Sequence, residues 1–352
     1  MSPVIQLALA VGEPAAPPAT GPARGPVPVP LTEAVAVAAA AREAGIAAIR
    51  LLDGVAAGHV LDPTVVAAYL AGLHDSSHTG LHDGLHDGLG YIAEVPTTHN
   101  APYNTARRVL SLDRATGGLA GVALRAGGGD EVSQATAPDP RAAGPAARWT
   151  EYAHVLTRLW ESFPRAALIG DQEAGVVVDD ALVRPVGHEG AFYRVAGPLD
   201  GPSSAQGRPV VVADLGDLDV LDVTAVARSA DVVVAGRERA AGADAALTEA
   251  LRRAGRSREE VALLGRVEIA GHDLDPGDAA TAAALAGELR DWAGEHRLDG
   301  FELVPIGGAG AVVAVVRALT PRLTGTPGSP ADSRPLTLRA ALGLPEPAAV
   351  AA

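Results

Sequence analysis

Short apolar runs alternate with amphipathic or alanine-rich stretches along almost the whole chain. The runs at 5–11, 46–52 and 89–95 are largely apolar and are followed by turn residues, a pattern typical of buried strands. Helix signals lie between them, such as Asp62 directly before Pro63. The other predicted strands are 119–124, 209–213, 232–235, 261–269 and 300–305, and the predicted helices are 32–44, 63–73, 104–113, 149–162, 223–229, 243–254, 279–296 and 310–319.

Eight such strand–helix pairs favour a (β/α)₈ barrel. Strands that alternate with helices indicate a parallel sheet, and eight pairs in one chain indicate its closure. A doubly wound open sheet is the alternative, but no G-x-G-x-x-G run follows the first strand. We therefore predict one barrel domain over 1–352, with an irregular insertion at about 164–207, flexible loops at 15–30, 74–88 and 127–147, and a C-terminal tail at 325–352.

Composition narrows the classes of function. The net charge of −14 argues against nucleic acid and anionic membrane surfaces, because both require clustered basic residues. The absence of cysteine excludes disulfides, cysteine-ligated zinc and thiol catalysis, and it fits a cytoplasmic location. No apolar run approaches the roughly 18 residues of a membrane span, and the N-terminus is predicted to be the first strand rather than a signal peptide.

One segment repeats the unit Leu-His-Asp at 73–75, 81–83 and 85–87. Histidine and aspartate are good metal ligands, so a metal site is one interpretation. The alternative is a small repeat expansion in a surface loop, whose glycines oppose a preorganised site. We favour the loop and predict no metal site.

The carboxyl ends of the strands are where a barrel of this kind forms its site. Polar or glycine-rich positions follow several of the predicted strands. They are Asp53, 97–100, 125–129, 214–217, 236–237 and 307–308.

Three stretches of the chain, 41–54, 95–121 and 167–212, resemble a single family. The third is the most specific, because it contains His188, Gly190, Phe192, Val195, Gly197-Pro198-Leu199, Ser204 and Gln206-Gly207-Arg208-Pro209. Together with LTLRAALGLPEP at 336–347, they resemble the bacterial-luciferase-like flavin monooxygenases. The most similar branch acts on nitrilotriacetate, dibenzothiophene sulfone and long alkanes.

The resemblance implies a barrel that uses reduced FMN from a partner flavin reductase, together with O₂, on a small organic substrate. It implies cofactor contacts at Asp53, Thr97, Thr98 and Gly236, and pairing as a homodimer or heterodimer. His99 replaces an aromatic residue of the family and is the candidate catalytic proton donor. The alternatives are that Asp53 serves a turn and that the two threonines belong to a strand end.

Several positions depart from the flavin contacts that the resemblance implies. Val122 and Ala123 stand where the family has Trp-Asn, and neither side chain forms hydrogen bonds. Ala126-Gly127 replaces Thr-Ser, and Ala146 replaces a tyrosine at the start of a helix. These losses remove contacts with the flavin.

The loop after the strand at 209–213 departs most from the pattern of the family. The family has a Gln-Ala-Gly-Ser-Ser-type loop there that binds the phosphate, whereas this chain has Asp214, Asp217 and Asp219. Like charges near a dianion are expected to weaken or abolish FMN binding. The alternative to a monooxygenase is therefore a catalytically degenerate barrel that serves as a partner subunit, and a deazaflavin enzyme would meet the same difficulty.

Overall fold

The computed structural model describes residues 3–15, 25–56, 58–75, 88–128, 144–270, 274, 279–325 and 337–347. Within this part of the chain, eight parallel strands close into a barrel. They are β1 (Val4–Leu9), β2 (Ala48–Leu51), β3 (Gly90–Pro96), β4 (Ala120–Arg125), β5 (Val210–Asp214), β6 (Val232–Ala235), β7 (Ala262–Ala270) and β8 (Gly300–Ile306). Each strand pairs with the next along the chain and β8 pairs with β1, so the predicted (β/α)₈ fold is confirmed.

Helices surround this barrel. They are α1 (Leu31–Glu43), α2 (Pro63–Asp75), α3 (Pro102–Ala115), α4 (Gly144–Glu161), α5 (Val223–Val226), α6 (Arg237–Ala240), α7 (Ala243–Arg253), α8 (Ala279–His296), α9 (Ala309–Thr324) and α10 (Leu338–Ala341). The prediction started α4 at 149, which is too late. The glycine- and proline-rich composition suggested a loop, but Pro145 is suited to a first helical turn and alanines follow it.

The irregular insertion between α4 and β5 contains two small antiparallel hairpins. One pairs Leu168–Asp171 with Val176–Val178, and the other pairs His188–Glu189 with Arg194–Val195. The carboxylate of Glu151 on α4 ties down the second hairpin, because it accepts hydrogen bonds from His188 Nε2 at 3.0 Å and from the backbone N–H of Tyr193 at 2.8 Å. The insertion is thus anchored to the barrel's helical layer.

The N-terminal end of the barrel is closed by α10 and the residues after it. Leu338, Leu342 and Leu344 are buried against the apolar lower layer of the barrel interior. Gly90 leaves room for them, since a methyl group there would lie 2.6 Å from a Leu338 methyl carbon. Ala123 belongs to the same layer, which explains why an apolar residue occupies that position.

Part of the run that carries the family resemblance holds this plug in place. Gln206 Nε2 donates to Asp113 Oδ1 at 2.6 Å, and its Oε1 accepts the backbone N–H of Arg339 at 3.2 Å. Arg208 forms two parallel bonds of 2.7 and 2.8 Å to Asp231. Gln206 and Arg208 therefore stabilise the N-terminal end of the barrel, opposite to the carboxyl ends of the strands.

Some of the sequence-based expectations concern residues that lie outside the described part of the chain. Residues 76–87, which hold most of the Leu-His-Asp repeat, lie outside them, as do parts of the expected loops at 15–30 and 127–147. Of the helices in the described part, none is long and apolar enough to cross a membrane.

The plug gives a first prediction. Leu338→Ala removes a fully buried side chain and leaves a cavity, so we expect the free energy of unfolding to fall by about 2–4 kcal/mol in denaturant titrations. Leu168→Ala, on the exposed first hairpin, is the matched control and should change it by less than about 0.5 kcal/mol. Equal effects of the two substitutions would contradict the role of α10 as a plug.

Candidate active site at the barrel mouth

The carboxyl ends of the strands open into a cavity of about 380 Å³. This volume lies within the usual range of ligand-binding clefts, roughly 300–1,000 Å³. Its wall includes apolar residues such as Ala8, Leu52 and Val304. Eight charged side chains also line it: Arg50, Arg125, Arg266, Glu94, Asp214, Asp217, Glu268 and Glu302.

Arg50, from β2, lies at the centre of these charges and is 1% exposed. Its two Nη atoms donate to Asp214 Oδ1 and Oδ2 at 2.6 and 2.8 Å. The same guanidinium contacts Glu94 Oε2 at 2.7 Å and Glu302 Oε2 at 3.3 Å. One arginine thus links β2 to β3, β5 and β8 across the barrel interior.

Arg266, from β7, completes the inner part of this network. It donates to Glu302 Oε1 at 2.7 Å and to Asp214 Oδ1 at 3.0 Å, and Gln6 from β1 also donates to Glu302. Burial alone would raise the pKa of Asp214, but the charges of Arg50 and Arg266 outweigh it and hold this pKa well below its usual value. The carboxylate therefore stays ionised at neutral pH.

Arg125, at the end of β4, extends the network toward solvent. Its Nη1 donates to Glu94 Oε1 at 3.0 Å, and its Nη2 lies 3.1 Å from Asp217 Oδ1. Asp217 Oδ2 accepts the backbone N–H of Ala126 at 2.7 Å. The ends of β3 and β4 and the loop after β5 are therefore fixed to one another.

The charges of the wall do not cancel. Among the lining residues that the structure describes, three arginines face five carboxylates, a formal excess of two negative charges. Glu268 is solvent-exposed and forms no ion pair with any residue that the structure describes. The chain has no lysine, so all 28 of its basic residues are arginines, whose planar forks suit such paired contacts.

The aspartates after the strand at 209–213, which were expected to act as free negative charges, are paired in the structure. Asp214 is the last residue of β5, and its carboxylate is bound by two arginines. Asp217 is paired with Arg125, and the exposed Asp219 is paired with Arg239 at 2.8 Å. Because each of the three aspartates has an arginine partner, they are not the free like charges that the sequence suggested.

The two predicted threonine contacts are directed into the protein. Thr97 and Thr98 are buried, and Thr97 Oγ1 donates to the carbonyl of Ala126 at 2.9 Å. Gly127 has a left-handed φ of 56° and packs so closely on Thr98 that a methyl group there would collide with its side chain. Neither threonine lines the cavity.

The other three predicted site residues lie outside the cavity wall as well. Asp53 lies at its rim with a partly exposed side chain, and its backbone N–H lies 3.4 Å from Glu94 Oε1. The part of the side chain that is withdrawn from water and the charge of Glu94 raise the pKa of Asp53. His99 is exposed beyond β3 with a left-handed φ of 59°, and Gly236 is the N-cap residue of α6. Their roles in the site stay predictions.

Sequence reasoning missed the paired network, although a signal was present. Six of the eight strands carry a charged residue at a position that faces the barrel interior, among apolar neighbours. A buried charge requires a partner, so opposite charges in such positions predict ion pairs across the barrel. The residues are Arg50, Glu94, Arg125, Asp214, Arg266 and Glu302.

Comparison with known sequences gives partial matches. No family model matches the chain. It is 33% identical over 130 residues to dibenzothiophene-sulfone monooxygenase of Rhodococcus erythropolis, and 32% identical over 126 residues to nitrilotriacetate monooxygenase component A of Aminobacter aminovorans. Each match covers 35% of this chain and only 28% of the relative's length.

Solved structures match over nearly the whole fold. EDTA monooxygenase from Chelativorans sp. BNC1 has a TM-score of 0.70 at 19% identity, covering 98% of this chain and 99% of that one. A long-chain alkane monooxygenase has a TM-score of 0.72 at 16% identity, covering 97% and 95%. The relatives matched in sequence are thus monooxygenases, and this chain shares its barrel fold with solved monooxygenase structures.

The cavity fits one part of FMN better than the other. The flavin ring and ribityl chain carry carbonyl, N–H and hydroxyl groups, which arginine and carboxylate side chains can bond. The phosphate requires cations, free N–H groups or hydroxyls. Within the described wall, every arginine is already held by carboxylates. The described lining residues therefore offer hydrogen-bonding groups to the uncharged part of the flavin, and their arginines offer the phosphate no cation that is free of a carboxylate partner.

The network gives a prediction about pH. Arg50→Met removes the central cation and leaves Glu94, Asp214 and Glu302 buried with less compensation, so we expect a loss of about 3–5 kcal/mol of unfolding free energy at pH 8. Without Arg50, burial raises the pKa of Asp214 in the folded variant, which therefore binds protons more tightly than the unfolded chain does. The loss should therefore shrink as the pH falls from 8 to 5.

In the wild-type protein, the lowered pKa of Asp214 keeps its contribution intact over that pH range. Arg107→Met is the control, because its partner Asp200 is exposed and the pair is worth no more than about 1 kcal/mol. Chemical denaturation of the three proteins at both pH values measures the effect. A loss for Arg50→Met that is small, or that grows at pH 5, would contradict the proposed buried network.

Proposed function

We propose that this chain is a flavin-dependent monooxygenase that acts on a small organic substrate with O₂ and reduced FMN supplied by a separate flavin reductase. The observation that carries the proposal is the cavity at the carboxyl ends of the strands, where barrels of this type place their sites. The similarity in fold to several monooxygenases and the partial sequence matches support it. One relative is named as component A of its enzyme, which agrees with a separate reductase.

The chain's own residues would bind and orient the reactants. The reduced flavin supplies the reactivity toward oxygen, and the protein supplies position and shielding from water. Arg125 and Arg266 have side chains that are 38% and 31% exposed, so they are the lining arginines that a ligand can reach. Arg50 and Glu302 are buried beneath them, where Glu302 pairs with Arg266 and also with Arg50.

The residues that the resemblance suggested enter the proposal in different ways. His99 is exposed just beyond the end of β3, and we retain it as the candidate proton donor. Asp53 and Gly236 are retained as rim positions at the ends of β2 and β6. Thr97 and Thr98 would act by shaping the backbone at the mouth, because their side chains pack within the protein.

A partner reductase and a second barrel are the protein partners we propose. Leu61, Val65, Tyr69 and Leu73 are exposed at a spacing of four residues along and just before α2, and such an apolar stripe supports association. The lack of cysteine supports a cytoplasmic location. No observation favours a purely non-catalytic partner subunit.

Flavin reoxidation tests the proposal. FMN reduced in the absence of oxygen is mixed with aerated buffer, with and without excess protein at ~100 µM, and flavin absorbance is followed over time. At this protein concentration, the rate of reoxidation would stay unchanged only if the Kd for reduced FMN lay well above about 100 µM. We expect the wild-type protein to alter the rate of reoxidation, because a bound flavin is shielded from water.

Two tryptophan variants control for access to the cavity. Val304→Trp places a large side chain in the cavity wall and should remove the effect. Val177→Trp, on the exposed first hairpin, should retain it. Identical reoxidation with and without wild-type protein would contradict the proposed function.

A further inference from the structure

We infer that the mouth cavity selects against anionic ligands, so that a flavin without its phosphate binds at least as tightly as FMN. This inference rests on the proposed function, since it concerns the flavin bound at the same mouth. It specifies which part of that ligand the chain recognises, namely the uncharged ring and ribityl chain.

The first argument is the state of the lining arginines. Arg50 is held by Glu94, Asp214 and Glu302, and Arg266 is held by the last two of these. Arg125 is shared between Glu94 and Asp217 in the same way. A phosphate could recruit one of these guanidinium groups only by taking it from a carboxylate.

The second argument is the cost of such an exchange. Glu94 and Glu302 are 2% and 0% exposed, so neither carboxylate reaches water if its arginine turns away. Removing one partner from a buried ion pair leaves an uncompensated charge, which is strongly unfavourable. The pairs are therefore expected to persist when a ligand enters, and the wall keeps its excess of negative charge.

The third argument is the position of Glu268, which forms no ion pair with another described residue. Glu268 continues the interior face of β7 beyond Arg266 and lies in the outer part of the cavity wall, exposed to solvent. A phosphate dianion beside this wall therefore faces Glu268, and no described arginine of the wall is free of a carboxylate partner to offset that charge. The interaction is repulsive at every distance.

Two backbone donors in the loop after β5 are likewise engaged within the protein. The N–H groups of Leu215 and Gly216 donate to Val234 and Leu221, both at 2.8 Å. The nearby Arg239 packs over Gly216 and pairs with the exposed Asp219. An exposed pair of this kind is weak, so Arg239 is the residue that would capture a phosphate if our inference were wrong.

Riboflavin and FMN are a matched pair of probes, because they differ only in the phosphate. Each is titrated with the full-length protein at 50 mM and 500 mM NaCl, and binding is followed by flavin fluorescence. We expect riboflavin to bind with a Kd equal to or lower than that of FMN. Added salt should tighten FMN binding, since it screens the repulsion, and should leave riboflavin binding unchanged.

Charge variants locate the effect. Glu268→Gln removes the unpaired carboxylate without breaking an ion pair with any other described residue, and should lower the Kd of FMN by about threefold while leaving that of riboflavin unchanged. Glu295→Gln is the matched control, because this exposed carboxylate lies in the last turn of α8, toward the opposite end of the barrel. It should change neither Kd.

The outcomes separate this inference from the proposed function. Tighter binding of FMN than of riboflavin, or weakening of FMN binding by salt, overturns the inference and leaves the proposed function intact. In that case, loss of FMN affinity in Arg239→Ala would identify the cation that holds the phosphate. Absence of binding by both flavins contradicts the proposed function, and the inference falls with it.

Discussion

The buried guanidinium of Arg50 is the constraint on which the upper half of this barrel depends. A cation that is almost completely removed from water is tolerated only when carboxylates surround it with good geometry. Arg50 meets that requirement with Glu94, Asp214 and Glu302, each from a different strand. The pairs also restrict register, because a shift of one residue in any of these strands would turn its charge out of the barrel.

The barrel interior is thereby divided into two layers of different chemistry. The lower layer is apolar and is filled by Leu338 and its neighbours from the C-terminal segment. The upper layer is charged and borders the open cavity. This division accounts for two departures from the flavin contacts implied by family resemblance. Ala123 belongs to the apolar layer, and Asp214 belongs to the charged layer instead of a phosphate-binding loop.

The sequence was sufficient to predict the fold but not the site. Local patterns define strands and helices, so the alternation of the two could be predicted. The contacts of Arg50 join residues that are 44, 164 and 252 positions away, and nothing in the local pattern specifies such pairings. Resemblance to the family pointed to His99 and Thr97, whereas the cavity wall contains Arg50, Glu94 and Glu302, for which the resemblance implied no role.

A double-mutant cycle between Arg50 and Asp214 tests this account most directly. Unfolding free energies of the wild-type protein, Arg50→Met, Asp214→Asn and the double variant give the coupling energy between the two side chains. The account predicts a favourable coupling above about 1.5 kcal/mol, because the pair is buried and bidentate. A coupling below about 0.5 kcal/mol would show that the two residues act independently and would contradict a network centred on Arg50.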